Sequence, residues 1–360
     1  MYKKLRKIHM NLKDKIKDKR IKGFKFLFDK KKVKADLKNI KKNKILFLRH
    51  DGKIGDMIIS TMMYREIKKN NPNITIGVIT RENTFDLIKN NPYIDNIYIY
   101  KKKYKYIKKI AGDISKVNYD VLIDFGDGIS EKTIYLLNKI QAKVNIGFMK
   151  KDYKIFDISL DEKELNEHIT NRYKKVLNFL GFEVSSYKYD IFENRSNDKI
   201  KLIKKNSVGE KTICINRFGA SKHRTLSENN MLEIIYGILK LNKNIKILLL
   251  TPSNKKSLNK RVIDKIGDEK VKLIESENIM NAIEIMKKVD LIVTPDTSII
   301  HIASALQKPL VGIYRKGNAM KCWGPKGTNY KIVTSNSKDE INELETDKVV
   351  ENIKKILQEI

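Results

Sequence analysis

The sequence predicts an α/β protein built as two facing lobes, each a parallel sheet covered by helices. Apolar strand-like runs alternate with helix-like ones along most of the chain, as a parallel sheet with crossover helices demands. The same alternation starts afresh near residue 212. Each half also carries one polar segment set between a strand-like and a helix-like run. These are Arg49-His50-Asp51-Gly52-Lys53-Ile54-Gly55-Asp56 and Thr294-Pro295-Asp296-Thr297-Ser298-Ile299-Ile300-His301. Open α/β sheets bind ligands at such turns, outside the carboxyl ends of their strands. Two of them, about one domain apart, predict a cleft between the lobes.

Residues 1–43 read as a basic N-terminal extension: residues 1–44 hold 19 Lys/Arg against 4 Asp. Leu5, Ile8, Leu12 and Ile16 recur at three- and four-residue spacing, and Phe24, Phe26, Leu27 and Phe28 follow Gly23. A basic amphipathic helix of this kind suits an anionic membrane surface; a solvated extension is the plainer alternative. Nucleic acid is not expected, because the aromatics follow the basic stretch instead of interleaving with it as a base-stacking platform would.

Residues 44–190 form the first lobe, with strands expected at 45–49, 74–80, 96–100 and 121–125. Helices are expected near 56–69, 84–89, 104–116 and 130–140, and Asn71-Pro72 and Asn91-Pro92 punctuate the crossovers, since a residue before proline leaves helical geometry. The polar, weakly periodic stretch 191–211 reads as a linker. In the second lobe, 212–338, strands are expected at 212–216, 246–250, 271–275, 291–294 and 310–314. The helices between them fall near 228–241, 255–266, 279–288 and 298–306, the first capped by Ser227. A C-terminal helix spans 339–360. Both lobes are therefore expected to be Rossmann-like.

At 360 residues the chain suits two domains, each able to bury its own core. No apolar run approaches the roughly 20 residues that span a bilayer, and the N-terminus lacks a secretory apolar stretch. The expected location is the cytoplasm, peripheral to the membrane if the extension binds it. Cys214 and Cys322 are the only cysteines and read as reduced thiols. The net charge is +32, and the extension contributes nearly half of it.

The motifs carry the chemistry. Gly55 allows a tight turn, and Asp56 projects above the sheet, where an ionised carboxylate could serve as a general base; by residue type alone it could equally cap the helix. Thr297 and Ser298 stand at a helix start whose hydroxyls and free amides suit a phosphate. His301 is placed to donate to the same anion. The alternative makes Asp296 a cap and His301 a packing residue. The loop Asn216 to Arg224 is small and flexible around Gly219, and Lys222 and Arg224 bring charge for a diphosphate, although such a pair is commonly just solvated. Asp124-Phe125-Gly126-Asp127-Gly128 reads as a turn, since it lacks further carboxylates or histidines at ligand spacing. No metal and no cofactor are inferred.

These residues together resemble glycosyltransferase family 9, the ADP-heptose:lipopolysaccharide heptosyltransferase family. The resemblance is carried by Ile45 through Asp56, Asn91-Pro92-Tyr93-Ile94-Asp95, Tyr119 through Asp124, Asn145-Ile146-Gly147-Phe148, Asp296 through Ala305, Lys308 through Gly312 and Trp323-Gly324-Pro325. It implies a GT-B fold and inverting, metal-independent transfer of a sugar from a nucleoside diphosphate sugar, by family default ADP-heptose. The implied acceptor is a glycolipid or oligosaccharide such as a lipopolysaccharide core. On the same resemblance Asp56 matches the base for the acceptor hydroxyl, Lys222 the lysine that neutralises the leaving diphosphate, and Asp296 the aspartate that holds the donor sugar. Thr297, Ser298 and His301 match the phosphate-facing helix start. Two departures stand out: Ser298-Ile299-Ile300 replaces the glycine and proline common after the aspartate, and Arg224 replaces a frequent aromatic. A catalytically silent nucleotide-sugar binder and a nucleic-acid-binding protein are the alternatives, but neither explains polar motifs at strand ends in both halves.

Overall fold

The computed structural model describes residues 15–16, 18–31, 36–37, 39–126, 128–160, 167–192, 209–241 and 244–360. Two six-stranded sheets form its frame. The first contains β1 (Lys44–Leu48), β2 (Thr75–Thr80), β3 (Asn96–Ile99), β4 (Val121–Asp124), β5 (Val144–Phe148) and β6 (Ile158–Leu160), in the order 3-2-1-4-5-6. The second contains β7 (Lys211–Asn216), β8 (Ile245–Pro252), β9 (Val271–Ser276), β10 (Leu291–Pro295), β11 (Leu310–Tyr314) and β12 (Tyr330–Thr334), in the order 12-11-10-7-8-9. All the pairings among these strands are parallel. Buried runs such as Ile45-Leu46-Phe47-Leu48 and Leu291-Ile292-Val293 explain this, because a parallel strand is covered on both faces and needs apolar residues throughout.

The helices follow in chain order. In the first half they are α1 (18–28), α2 (Ile54–Asn70), α3 (Glu82–Phe85), α4 (Tyr104–Val117), α5 (Glu131–Ile140) and α6 (Ile169–Phe179). The second half has α7 (Glu228–Leu241), α8 (Lys256–Ile266), α9 (Ile279–Lys287), α10 (Ser298–Ala305), α11 (Ala319–Trp323) and α12 (Thr346–Glu359). Ser227 caps α7 as expected, its hydroxyl accepting from Asn230 N at 3.1 Å.

Strand order reverses between β1 and β4 in the first sheet and between β7 and β10 in the second. Loops that leave neighbouring strands in opposite directions open a crevice at such a point. The loops after β1 and β4, and after β7 and β10, therefore flank the two crevices.

Several expectations need correction. Each lobe has a core of its own, but a third apolar cluster crosses between them, joining Met57 and Ile58 of α2 and Tyr173 and Val176 of α6 to Ile299, Ile302 and Ala303 of α10. The last helix begins at Thr346 and not at 339, because residues 340–342 are engaged elsewhere in bracing a loop. It belongs to the second lobe's core, where Val349, Ile353 and Ile356 pack with Ile234, Ile235 and Ile238. Strands β5, β6 and β12 and helices α6 and α11 were not expected, β5 because Asn145 and Gly147 interrupt its apolar run. The edge strands β6 and β12 are short and only partly covered, so neither shows the continuous apolar run that marks a central strand.

The extension is also more structured than a solvated tail. Phe24 stacks on Tyr104 with ring centroids 5.7 Å apart, and Phe28 meets Tyr135 edge-on at 5.2 Å. The Asn138 amide donates to the carbonyls of Phe28 and Lys30, Ile155 N donates to Asp29, and Lys31 pairs with Asp157 at 2.6 Å. Leu5, Ile8 and Leu12 lie outside the described residues, as does 193–208 of the expected linker. Ahead of that stretch the chain is a strap on α2: Glu66 accepts from Ser185 N and Oγ, and Arg65 pairs with Asp190.

Those contacts carry a test. Replacing Phe24 and Phe28 together by Ala should release α1, raising its opening about tenfold or more, because stacked aromatics each contribute of the order of 1 kcal/mol beyond their buried area. Limited proteolysis should then cut within 18–43 faster while the body from residue 44 onward resists as before.

Candidate functional site

The loop that leaves β1 sets the first half of the site. Arg49 continues the buried run of β1, its guanidinium donating to the Tyr173 hydroxyl at 3.1 Å and lying 3.7 Å from the Asp56 carboxylate. Phe125 and Tyr173 each face that guanidinium at 5.9 Å, which compensates part of the hydration it loses. Asp56 sits in the first turn of α2, mostly covered, with Lys53 also 3.7 Å away. It does not cap the helix: Lys53 occupies that position without a side-chain bond.

Burial pushes the Asp56 carboxyl above its ordinary range, with Arg49 and Lys53 pulling the other way and Asp51 adding to the rise. Asp51 goes down despite its own burial, because Arg49 and the Lys53 amide favour its charged form. Two adjacent carboxylates are thus pushed apart in affinity for a proton, the pattern that separates an acceptor of protons from a permanent anion.

Behind them lies a second buried pair. Lys150 donates to Gly126 O at 2.6 Å and lies 3.9 Å from Asp124, at the end of β4. Burial raises the Asp124 carboxyl to about 6, although Lys150 opposes it.

The second lobe supplies the other half. After β7, the Asn216 amide donates to Phe218 O at 3.0 Å and to Thr294 Oγ1 at 2.9 Å, tying this loop to the end of β10. Gly219 lies directly under the Arg224 backbone, so any side chain there would collide with the Arg224 carbonyl. Residues Lys222–Arg224 form a single 3-10 turn. Arg224 pairs with Asp296 at 3.1 Å. Burial raises the Asp296 carboxyl, with Arg224 and Arg315 opposing. Lys222 is exposed, and among the described residues no carboxylate lies within ion-pair distance of it. The turn is braced from below: Asn342 accepts from Ser227 N at 2.7 Å and donates to Thr225 O at 3.1 Å, while Ile341 N donates to His223 O at 3.1 Å.

Thr297, not Asp296, caps α10, its hydroxyl accepting from Ile299 N at 3.1 Å. Asp296 is thereby left to face Arg224. Ser298 opens the helix, where the first amides have no intrahelical acceptor. His301 is 6% exposed, and burial with His168 nearby pushes it down to about 3, so at neutral pH it offers an uncharged N–H and not a cation. Among the described residues its Nδ1 has no hydrogen-bond partner.

The two halves meet at α2 and α10. A Cβ on Gly55 would stand 2.6 Å from His301 Cδ2, so glycine is needed for the helices to approach this closely. A second bridge lies beside it: His168, which caps α6 through Nδ1, donates from Nε2 to Gly324 O at 3.0 Å, and Lys326 donates to Thr170 at 3.0 Å. The structure thus brings Gly55 and the first turn of α2 against α10, and ties the loop after β7, which carries Gly219 and the exposed Lys222, to the end of β10 and the start of α10 through Asn216–Thr294 and Arg224–Asp296.

Sequence reasoning assigned no role to Arg49, Asp51, Tyr173, His168 or Asn342. For Arg49 there was a signal, a charged residue directly closing an apolar strand. Tyr173, His168 and Asn342 depend on partners more than a hundred residues away, whereas Asp51 acts with its near neighbours Arg49 and the Lys53 amide.

Comparison with known proteins agrees with this architecture. The family model for Glycosyltransferase family 9 (heptosyltransferase) matches residues 107–354. A curated relative, lipopolysaccharide heptosyltransferase 1 of Campylobacter coli, is 25% identical over 279 residues, covering 72% of this chain and 81% of the relative. Among solved structures, a glycosyl transferase family 9 protein from Veillonella parvula superposes with a TM-score of 0.72 at 15% identity, covering 89% of this chain and 99% of that one. The E. coli ADP-heptose lps heptosyltransferase II superposes with a TM-score of 0.71 at 14% identity, over 88% and 99% of the two chains.

The inter-lobe contact predicts the outcome of one substitution. Gly55→Ala would add helix propensity worth at most about 1 kcal/mol, but overpacking against a buried imidazole costs about 1–3 kcal/mol. The variant should be less stable in denaturant, and adding His301→Ala should recover much of the loss.

Proposed function

The chain belongs to glycosyltransferase family 9, the heptosyltransferases, and is a glycosyltransferase; on that premise we propose that it moves a heptose from ADP-heptose to a lipopolysaccharide-core type of acceptor, inverting the anomeric centre without a metal. The observation that carries the reading is the juxtaposition of two strand-reversal crevices, one lined by a shielded carboxylate and the other by cations around a helix start. The first lobe (44–190) is assigned the acceptor, the second (212–338, with the final helix) the nucleotide sugar. The family relation supports the heptose and the lipopolysaccharide: the C. coli relative is named for both.

In this mechanism Asp56 takes the proton of the acceptor hydroxyl as its oxygen attacks the anomeric carbon. The diphosphate leaves from the opposite face and carries the charge away. A carboxyl held above its ordinary range accepts a proton more readily than a free aspartate does. Arg49 orients that carboxylate and keeps it ionised at neutral pH. Lys222, Arg224 and the amides at Ser298 meet the charge growing on the diphosphate, which favours the transition state over the ground state. Asp296, fixed by Arg224, takes donor hydroxyls, and His301 offers its N–H to the same region. These cations take the place that a metal fills in other sugar transferases. The acceptor is lipid-linked and lies at the cytoplasmic face of the membrane.

Three measurements test this. In a thermal-shift panel of nucleoside diphosphates and nucleotide sugars, adenine diphosphates should raise the melting point most; a ligand at about 100 times its Kd adds about 2.7 kcal/mol. With a delipidated core oligosaccharide as acceptor, Asp56→Asn should lower kcat about 10²–10⁴-fold, and Lys222→Ala about 10²–10³-fold. Equal stabilisation by all nucleotides, or full turnover by Asp56→Asn, overturns the reading.

The pH profile tests Arg49 separately. Asp56 must be ionised, so kcat/KM should fall as pH drops through its raised pKa. Arg49→Gln removes the main charge that resists protonation, so its acid limb should move to higher pH. A merely structural loss would lower the profile without moving the limb.

A further inference from the structure

Among the described residues, none covers the outer face of α1. Phe24 and Phe28 turn inward onto α4 and α5, and the opposite side carries Phe26 at 87% exposure and Leu27 at 54%. In helical spacing these two lie with Lys19 and Gly23 on one stripe, Lys22 flanks it, and Lys30 follows just past the end of the helix; all three lysines are exposed. Leaving a phenylalanine and a leucine side by side in water is unfavourable, and a lobe that anchors α1 with two aromatic contacts and an amide clamp has the means to cover them. It does not.

Charge decides what fits there. An apolar pair ringed by lysines repels another basic surface, and this chain carries +32 overall, so a second copy is electrostatically disfavoured. An anionic lipid surface answers both features, because the side chains enter the headgroup boundary while each nearby lysine gains from the negative surface. The neighbouring start of α4 adds to it: Tyr106 is 40% exposed, with Lys101 and Lys105 5.9 and 5.0 Å from its ring.

We infer that the exposed face of α1, through Phe26 and Leu27 with Lys19, Lys22 and Lys30, is a docking surface for an anionic lipid bilayer. It deepens the proposed function, since a bilayer is where a lipid-linked acceptor is presented. Placement supports it. Arg20, near the start of α1, pairs with Glu131 at 2.9 Å, at the first turn of α5. That turn follows β4, so the helix starts on the rim of the first-lobe crevice. Because α1 is clamped to the lobe and not tethered by a free linker, it fixes the orientation of that crevice relative to the lipid.

The test uses the full chain and sedimentation with vesicles of phosphatidylcholine alone or with about 30 mole per cent phosphatidylglycerol. The parent should pellet with the anionic vesicles only. Phe26→Ser with Leu27→Ser should lower partitioning about tenfold or more, a size set by removing two large apolar side chains from the boundary. Both positions are exposed, so melting temperature and transfer to a delipidated acceptor should be unchanged. Lys19→Ser with Lys22→Ser should weaken binding and flatten its salt dependence. Equal pelleting of parent and Phe26/Leu27 variant overturns the inference. So does light scattering that shows a parent dimer dissolved by that variant, which would assign the face to a second copy. If the chain binds vesicles through Phe26 and Leu27 but transfers no sugar, the surface stands and the proposed reaction falls.

Discussion

The approach of α2 to α10 is the constraint on which the rest depends. Each helix starts where its own sheet reverses direction, so each carries a polar first turn to the mouth of a crevice. Bringing those starts into contact converts two half-sites into one. The contact is made possible by the absence of a side chain at Gly55, against which the buried ring of His301 lies. Around it the apolar cluster continues from Met57 and Ile58 to Ile299 and Ile302 without a break at the lobe boundary. Lobes joined in this way cannot swing widely apart without exposing apolar surface, so opening for substrate has to take the form of rocking about this contact. The pair His168–Gly324 and Lys326–Thr170 lies on the same side and restricts the axis further.

Electrostatics at the first half-site is a balance of two large quantities. A guanidinium and a carboxylate 3.7 Å apart attract by about 4 kcal/mol at an effective dielectric constant near 20. Removing a carboxylate from water costs several kcal/mol. For Asp56 burial, helped by the neighbouring Asp51 charge, outweighs the attraction of Arg49 and Lys53, which leaves its proton affinity raised. Asp51, close to the same guanidinium but also bonded to the Lys53 amide at 3.1 Å, falls on the other side of the balance. The two carboxylates are thus pushed in opposite directions: Arg49 and the Lys53 amide hold Asp51 charged, and that charge in turn adds to the rise of Asp56.

Much of this was legible from the residues, and the limits have a physical pattern. Most central strands read clearly because burial on both faces demands apolar runs, as in Ile45-Leu46-Phe47-Leu48, but β5 was missed because Asn145 and Gly147 interrupt its run. Edge strands such as Ile158–Leu160 and Tyr330–Thr334 lack that demand and were missed. Asp56, Lys222 and Asp296 could be singled out because a polar residue just after a strand is visible locally. Helix capping was read less well: Thr297 takes the position that residue type alone offered to Asp296, since only the ion pair with Arg224 reveals where Asp296 turns. Asn342 and Tyr173 were beyond reach, because their meaning lies in partners 117 and 124 residues away.

The bracing segment explains why the final helix starts late. Residues 340–342 have enough polarity and spacing to continue α12 backwards, and helical geometry there would satisfy their own amides. Instead Asn342 uses both ends of its side chain on the loop that carries Lys222, and Ile341 donates its amide to His223. A loop of small residues such as Gly219-Ala220-Ser221 has high conformational freedom, and a lysine at its tip gains nothing toward a transition state unless that freedom is already removed. The extra helical turn would stabilise α12 by a small increment; the brace instead positions a cation. If Lys222 meets the leaving diphosphate as proposed, this is the exchange its role requires.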